Sequence, residues 1–273
     1  MKRVTALCAL AICLSSSFAW AHFQMLYTPE SALPTGKIIE LRHVFTHPFA
    51  DEHTMDMGLQ HDSDKLMPVD EFYVVNKGKK SDLLGTLQSV EWQGQHNRGM
   101  GYSSTYKAQR MGDHVLVLQP APYFEAGEDM YIQQITKTIV NVAGAPTDWN
   151  AELGLKAEIV PLVKPYSIWA GSTFTGIVKS NGRPVPYAEI EVEYLNRAVD
   201  LEHNAMGPSF VEAPQDSYVT LGMKADVNGI FTFGIPRAGW WGFAAMGVGS
   251  DTSYKGKELS QDAVIWVEAK EMR

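Results

Sequence analysis

This sequence predicts an all-β protein of two antiparallel β-sandwich domains, and three observations carry that reading. Short runs rich in β-branched and aromatic residues recur at Ile38 to Phe45, Glu71 to Val75, His114 to Leu118, Tyr131 to Val142, Ala188 to Tyr194 and Phe231 to Ile235. Most are bounded by Gly, Pro, Asn or Asp. Asn181-Gly182 and Asn228-Gly229 each fall between such runs, and Asn-Gly is the strongest short hairpin signal. No long segment has a helical period. A short helical or irregular stretch is expected only within Ala50 to Met67.

Taken in order, residues 1–21 read as a secretory signal peptide. Lys2 and Arg3 give a charged start, Ala6 to Leu14 a short apolar run, and Ala19-Trp20-Ala21 an A-x-A cleavage site. Residues 22–160 are expected to form an N-terminal sandwich with a His-rich metal-binding segment. Pro161 and Pro165 bracket a boundary near Val160, and a fresh set of strands begins at Ile168. Residues 161–273 then form a second sandwich. Its expected elements are a strand at Ser172 to Val178, the Asn181-Gly182 turn, the segment Pro184 to Ala188 and a strand at Glu189 to Tyr194. A polar insertion from Asn196 to Ser217 follows, then a turn at Ala225 to Gly229 and a strand at Phe231 to Phe233. This order resembles the Greek-key sandwiches of the transthyretin or carboxypeptidase-regulatory type. Gly182-Arg183-Pro184 with Ala188, and Asp226 to Phe231, match their G-x-P-x-x-x-A and D-x-N-G-x-F segments. Asp226 to Gly229 lacks the acidic ladder and closing Glu of a calcium loop, so a hairpin is expected there.

Composition excludes several function classes. The net charge is −8, and losing a leader with two positive charges and no acid moves it to −10. Such an acidic exported chain is a poor nucleic-acid binder. Cys8 and Cys13 both lie in the leader, so the mature chain has no disulfide and no thiolate ligand or nucleophile. No later apolar stretch is long enough to span a bilayer, and the mature product is expected to be periplasmic, without a transmembrane segment. There is no G-x-S-x-G, no H-E-x-x-H and no phosphate-binding Gly loop.

The chemistry concentrates between residues 22 and 61. Five of the eight histidines lie there, His22, His43, His47, His53 and His61, together with Met55, Met57, Asp51, Glu52, Asp56 and Asp62. Cleavage after Ala21 gives His22 a free α-amine, so one residue offers two nitrogen donors to one divalent ion. Imidazole with carboxylate suits nickel, cobalt, zinc or copper(II), and thioether suits copper(I). On a regular strand His43, Phe45 and His47 share a face, with the two histidines roughly 13 Å apart. Metal–nitrogen bonds are about 2 Å, so the two do not readily share one ion. Pro48 ends the strand and leaves His47 at its mouth, the better ligand, with His43 in or beside the core. His53, Met55, Asp56, Met57 and His61 belong to the loop that follows, which supplies further ligands if it folds over the N-terminal chelate. All of these precede residue 62, so the site is expected to draw on the first domain alone. His96, His114 and His203 are expected to be structural or exposed. Tyr123, Phe124, Glu125 and Glu128 form an aromatic–acidic corner, read as a turn, a docking surface or a carboxylate partner for a ligating histidine. Of Trp240 and Trp241, one is expected in the core and the other over an edge.

These segments together resemble a known family, the periplasmic auxiliary component of energy-coupling-factor nickel/cobalt transporters, long known only as a domain of unknown function. The matching residues are Ala21-His22-Phe23, His47-Pro48-Phe49 with Met55-Asp56-Met57, Pro122 to Glu125 through Glu128-Asp129 to Thr136-Lys137, and Glu158 to Pro161. Trp169-Ala170-Gly171, Phe174-Thr175-Gly176, Glu191 to Asn196 and Arg237 to Gly242 complete the set. The resemblance implies capture of nickel or cobalt outside the cytoplasm and hand-over to a membrane permease of that type, without enzymatic activity. It carries over to His22 and His47. In the strand before Thr136-Lys137 many members carry a histidine where this chain has Gln133-Gln134; if that histidine is a ligand, this chain has lost it. A copper carrier, an oxidative copper enzyme with an N-terminal histidine brace, and a sandwich without metal are the competing readings.

Overall fold

The computed structural model describes residues 22–57, 59–60, 63–66 and 69–272. The leader expected at residues 1–21 lies outside them. Among the described residues the regular structure is almost wholly β-strand, and the sandwich architecture expected from sequence is present. Among the described residues the only helical turns are two short 3-10 turns, Leu84–Thr86 and Asp216–Tyr218.

Three sheets stack as layers. The central one runs through Leu221–Lys224, Glu189–Tyr194, Gly239–Ala245, Lys257–Lys270, Met130–Val142, Gly112–Gln119, Glu71–Asn76 and Lys79–Asp82, in that order. It crosses from one half of the chain to the other where Lys257–Lys270 lies parallel to Met130–Val142, from Tyr131 opposite Leu259 to Thr138 opposite Trp266. The two expected sandwiches therefore share one sheet. On one face lies the sheet of Phe23–Tyr27, Lys37–Thr46, Arg98–Ala108 and Gln88–Gln93. On the other lies the sheet of Glu158–Pro161, Thr173–Ser180, Arg183–Pro184 and Ile230–Gly234.

Alternating side chains of the central strands fill separate cores. Tyr73, Val75, Val115, Val117, Ile135 and Ile139 pack with Ile159, Phe174, Val178 and Phe231. Phe72, Val74, Leu116, Leu118 and Val140 pack with Leu26, Ile39, Leu41 and Phe45. Farther along the same face, Trp240, Ala244, Val264 and Trp266 pack with Phe23, Met25, Val44 and Trp92. A sheet covered on both faces needs apolar side chains on both, which is why Met130–Val142 is buried along nearly its whole length. The same geometry corrects the reading of Trp240-Trp241. Neither covers an edge: Trp240 enters one core and Trp241 the opposite one.

Other expectations hold or change for identifiable reasons. Asn181-Gly182 is a hairpin turn, with both residues at positive φ and Ser180 opposite Arg183. Asn228-Gly229 is not a hairpin. The strand before it, Leu221–Lys224, pairs with Glu189–Tyr194 in the central sheet, and the strand after it, Ile230–Gly234, pairs with Thr173–Ser180 in the outer one. Asp226 Oδ1 shapes that crossing by accepting the N–H groups of Asn228 and Ile230, at 2.8 and 2.9 Å. Within Ala50 to Met67 the described residues form short strands, Thr54–Met55, Leu59–Gln60 and Ser63–Leu66, and no helix. The boundary expected near Val160 falls inside Glu158–Pro161, which pairs with Thr173–Ser180. Part of the polar insertion, Arg197–Asp200 with Ala205–Ser209, extends the first half's outer sheet through Ala205 opposite Gln93.

Candidate functional site

His22 stands at the start of the strand Phe23–Tyr27, and His47 just past the end of Lys37–Thr46. These strands are antiparallel neighbours with Phe23 opposite Thr46. Residues 25 positions apart in sequence are thereby brought together, and the His22 and His47 ring centroids lie 4.7 Å apart. Phe45 and Tyr123 wall the pair, at 5.5 and 6.5 Å from the His22 ring.

The turn after His47 is closed locally. The N–H of Asp51 donates to the His47 carbonyl at 2.7 Å, with Asp51 at φ 56°, a left-handed conformation that Asp tolerates better than most residues. This folds Glu52 back until its Oε2 stands 3.7 Å from His47 Nδ1. Glu125 Oε2 stands 3.7 Å from His22 Nε2. Of the readings of the aromatic–acidic corner, the carboxylate beside a histidine is the one this placement matches. At 3.7 Å each carboxylate stands beyond direct hydrogen-bonding distance of the ring nitrogen it faces, near enough to act on it electrostatically.

Both rings are held neutral. Burial, with His53 nearby, lowers His22 from 6.5 to about 4. Burial, with His22 and His53 nearby, lowers His47 to about 3. Neutral imidazole is the ligating form, so the rings need lose no proton near pH 7. Among the described residues no three His, Asp or Glu side chains converge as a metal cage. The side chains alone thus offer two nitrogens, and the cleavage expected after Ala21 would add the His22 α-amine as a third. That donor set fits nickel, cobalt or copper(II).

The remaining predicted site residues divide clearly. His43 lies apart from the pair: it is fully buried, its Nε2 is 2.8 Å from Ser104 Oγ, and its ring meets Phe72 edge-on at 4.6 Å. Burial lowers it to about 3. His53 is exposed at the rim, near enough to act electrostatically on both rings. His61 lies outside the described residues. Met55 and Met57 are core residues rather than loop ligands, and Met57 Sδ accepts from Gln24 Nε2 at 3.3 Å. Gln133 bonds to Pro120 and Gln261, whereas Gln134 reaches the His22 carbonyl.

The ring donors and their flanking carboxylates all precede Val160, yet the second half holds the loop that carries His47. Glu193 accepts the Phe49 N–H at 3.3 Å, Asn196 N–H donates to the Pro48 carbonyl at 3.1 Å, and Arg197 donates to the Ala50 carbonyl at 3.2 Å. Sequence reasoning missed these anchors. Glu191-Val192-Glu193, acids inside a strand, was the available signal.

Comparison with known proteins places the chain. The family model described as a domain of unknown function, DUF4198, matches residues 19–249. The chain belongs to this DUF4198 family. No curated protein matches it. Among solved structures it is similar to the D0-D1 domain of Intimin, at 13% identity over 89% of this chain and 96% of that one, with TM-score 0.22. It is similar also to the Yersinia pseudotuberculosis adhesin InvE, at 12% identity over 89% and 58%, with TM-score 0.23. At such TM-scores the likeness settles neither topology nor function. No helix among the described residues of this DUF4198 chain is long and apolar enough to cross a membrane.

Proposed function

We propose that this chain is a periplasmic transition-metal binding protein that captures nickel or cobalt and delivers it to a membrane uptake system of the energy-coupling-factor type. One observation carries the reading: the neutral rings of His22 and His47 stand 4.7 Å apart, each with a carboxylate oxygen 3.7 Å from one of its nitrogens. With cleavage after Ala21, the His22 amine and ring chelate the cargo ion and His47 completes a three-nitrogen set. The ion is held for transfer rather than for chemistry. Copper(I) is the weaker alternative, because Met55 and Met57 are committed to the core.

Calorimetry on protein beginning at His22 should give one nickel or cobalt ion per chain. One residue added ahead of His22 should weaken binding about tenfold or more, as the loss of a nitrogen donor requires. Unchanged affinity would remove the amine from the site. Copper(II) outcompetes nickel at nearly any nitrogen site in vitro, so cellular uptake decides the cargo. Deleting the gene should lower cellular nickel or cobalt when these are scarce and leave copper tolerance intact. Normal nickel with copper sensitivity would assign a copper carrier instead.

A further inference from the structure

An α-amine is a useful ligand only when the backbone carrying it is held, and the first residues of a chain normally fray. The strand Phe23–Tyr27 pairs with Lys37–Thr46 along one side, and that pairing stops at Phe23. Side chains from Met130–Val142 serve its other side. Thr138 Oγ1 donates to the Leu26 carbonyl at 2.7 Å, and Thr136 Oγ1 stands 3.5 Å from the Gln24 carbonyl. At the end of this series Gln134 Oε1 accepts the Gln24 N–H at 2.7 Å, and its Nε2 donates to the His22 carbonyl at 2.7 Å. Residues 134, 136 and 138 share one strand face. Together they substitute for a neighbouring strand.

The Gln134 amide has one favourable orientation. Its Nε2 also lies 3.2 Å from Oδ2 of Asp262, whose Oδ1 accepts from Gly247 N–H at 2.8 Å and from Ser260 Oγ at 2.6 Å. Asp262 is fully buried. A flipped amide would set its oxygen against both the His22 carbonyl and Asp262, and its NH2 against the Gln24 N–H.

We propose that Gln134, aligned by Asp262, is a positioning residue of the metal site. It fixes the His22 backbone, and with it the α-amine that processing frees, beside His47. The inference rests on the metal-binding reading above.

The test compares protein beginning at His22 with protein carrying one extra glycine ahead of it, each with Gln134 and with Gln134→Met. Methionine keeps the length and loses the hydrogen bonds to Gln24, His22 and Asp262. Nickel(II) is titrated by calorimetry. In the His22-first protein Gln134→Met should weaken nickel binding about tenfold, as losing a support of a ligating group does. In the glycine-extended protein the loss should be clearly smaller, because the amine has moved and only the ring of His22 still depends on that backbone. Equal losses in both, or no loss in either, overturn the proposal. Hydrogen exchange adds a metal-free readout: the Gln24 amide should exchange about tenfold faster in Gln134→Met while the Leu116 and Ile265 amides are unchanged. An unchanged Gln24 amide also overturns it. Should Gln134→Met not fold, Gln134→Glu repeats the nickel comparison, since it keeps the acceptor toward Gln24 and sets an oxygen against the His22 carbonyl. If the His22-first protein takes up no nickel, the metal reading falls and the positioning role with it. Nickel binding unaffected by Gln134→Met overturns the positioning role alone.

Discussion

Lys137 Nζ lies 2.8 Å from Glu158 Oε1, and both side chains are sealed from water between the central sheet and the outer sheet of the second half. Glu158 also accepts the N–H groups of Leu153, Gly154 and Leu155 at 3.0 to 3.3 Å. It thereby fixes the segment that leads from one half into the other.

Removing one member of such a pair leaves a buried group uncompensated, typically at about 3–5 kcal/mol. Glu158→Leu should cost that much in urea unfolding, because it strands Lys137 and three backbone amides. Lys137→Met should cost less, since Glu158 keeps its amide donors. The double variant should recover part of the Glu158→Leu loss. Equal effects of the two single variants would mean that the amides contribute little.

The histidines separate by role. His22→Ala and His47→Ala should each weaken nickel binding on the order of 100-fold, as loss of a ligand does, with the fold retained by circular dichroism. His43→Leu should leave nickel affinity unchanged and cost about 1–3 kcal/mol of stability by stranding the buried Ser104 hydroxyl. Loss of metal in a folded His43→Leu protein would bring His43 back as a ligand.

Acid should act on the metal site through one proton. His22 and His47 are lowered to about 4 and 3, so in the folded protein both rings are already neutral at pH 5.5. The α-amine, with a reference value of about 7.7–8.0, must still lose its proton. Nickel affinity is expected to fall about tenfold per pH unit below that range, with one proton released per ion. Three protons released per ion at pH 5.5 would mean that the rings are not desolvated. A flat affinity from pH 5.5 to 8 would point to carboxylate ligands.

Burial raises Glu193 from 4.5 to about 8, the Thr220 hydroxyl and Phe49 N–H opposing that shift in part. The folded state thus holds a proton between pH 4.5 and 8 that the unfolded state has released. Its stabilising contribution is full below pH 4.5 and is lost as pH rises through 8. Relative to Glu193→Gln, the natural protein should lose up to roughly 1.4 kcal/mol per pH unit across that window. Parallel stability profiles for the two proteins would show that Glu193 ionises normally. Glu193 also anchors the loop after His47, so nickel affinity in Glu193→Gln reports whether that anchor matters to the site.

The strands most legible in the sequence are those whose residues carry their own signal. Ile38 to Phe45 and Tyr131 to Val142 were visible as apolar runs, and Asn181-Gly182 as a turn, because positive φ at both residues is a local demand. Gln88–Gln93 and Arg98–Ala108 were not visible. They are mostly polar, and Gly99 and Gly101 are set by close approach to the carbonyls of Thr54 and His43, where a Cβ would come within 2.7 Å. Asn228-Gly229 shows the limit of a local signal: the turn exists, but the sheet each flanking strand joins is decided by partners far away in sequence.

The all-β class and the concentration of nitrogen donors before residue 62 were legible in the sequence alone, as was the preference for His22 and His47 over His43 as candidate donors. Residue chemistry, strand period and a cleavage motif are local properties. Only the tertiary structure decided that one sheet serves both halves, that Met55 and Met57 belong to the core, and that His43 is set apart from the pair. It also brought Glu125 and Gln134, more than 100 residues away in the chain, beside His22. Those outcomes depend on which strands become neighbours, and strand pairing maximises burial over the whole chain, a quantity that no single segment contains.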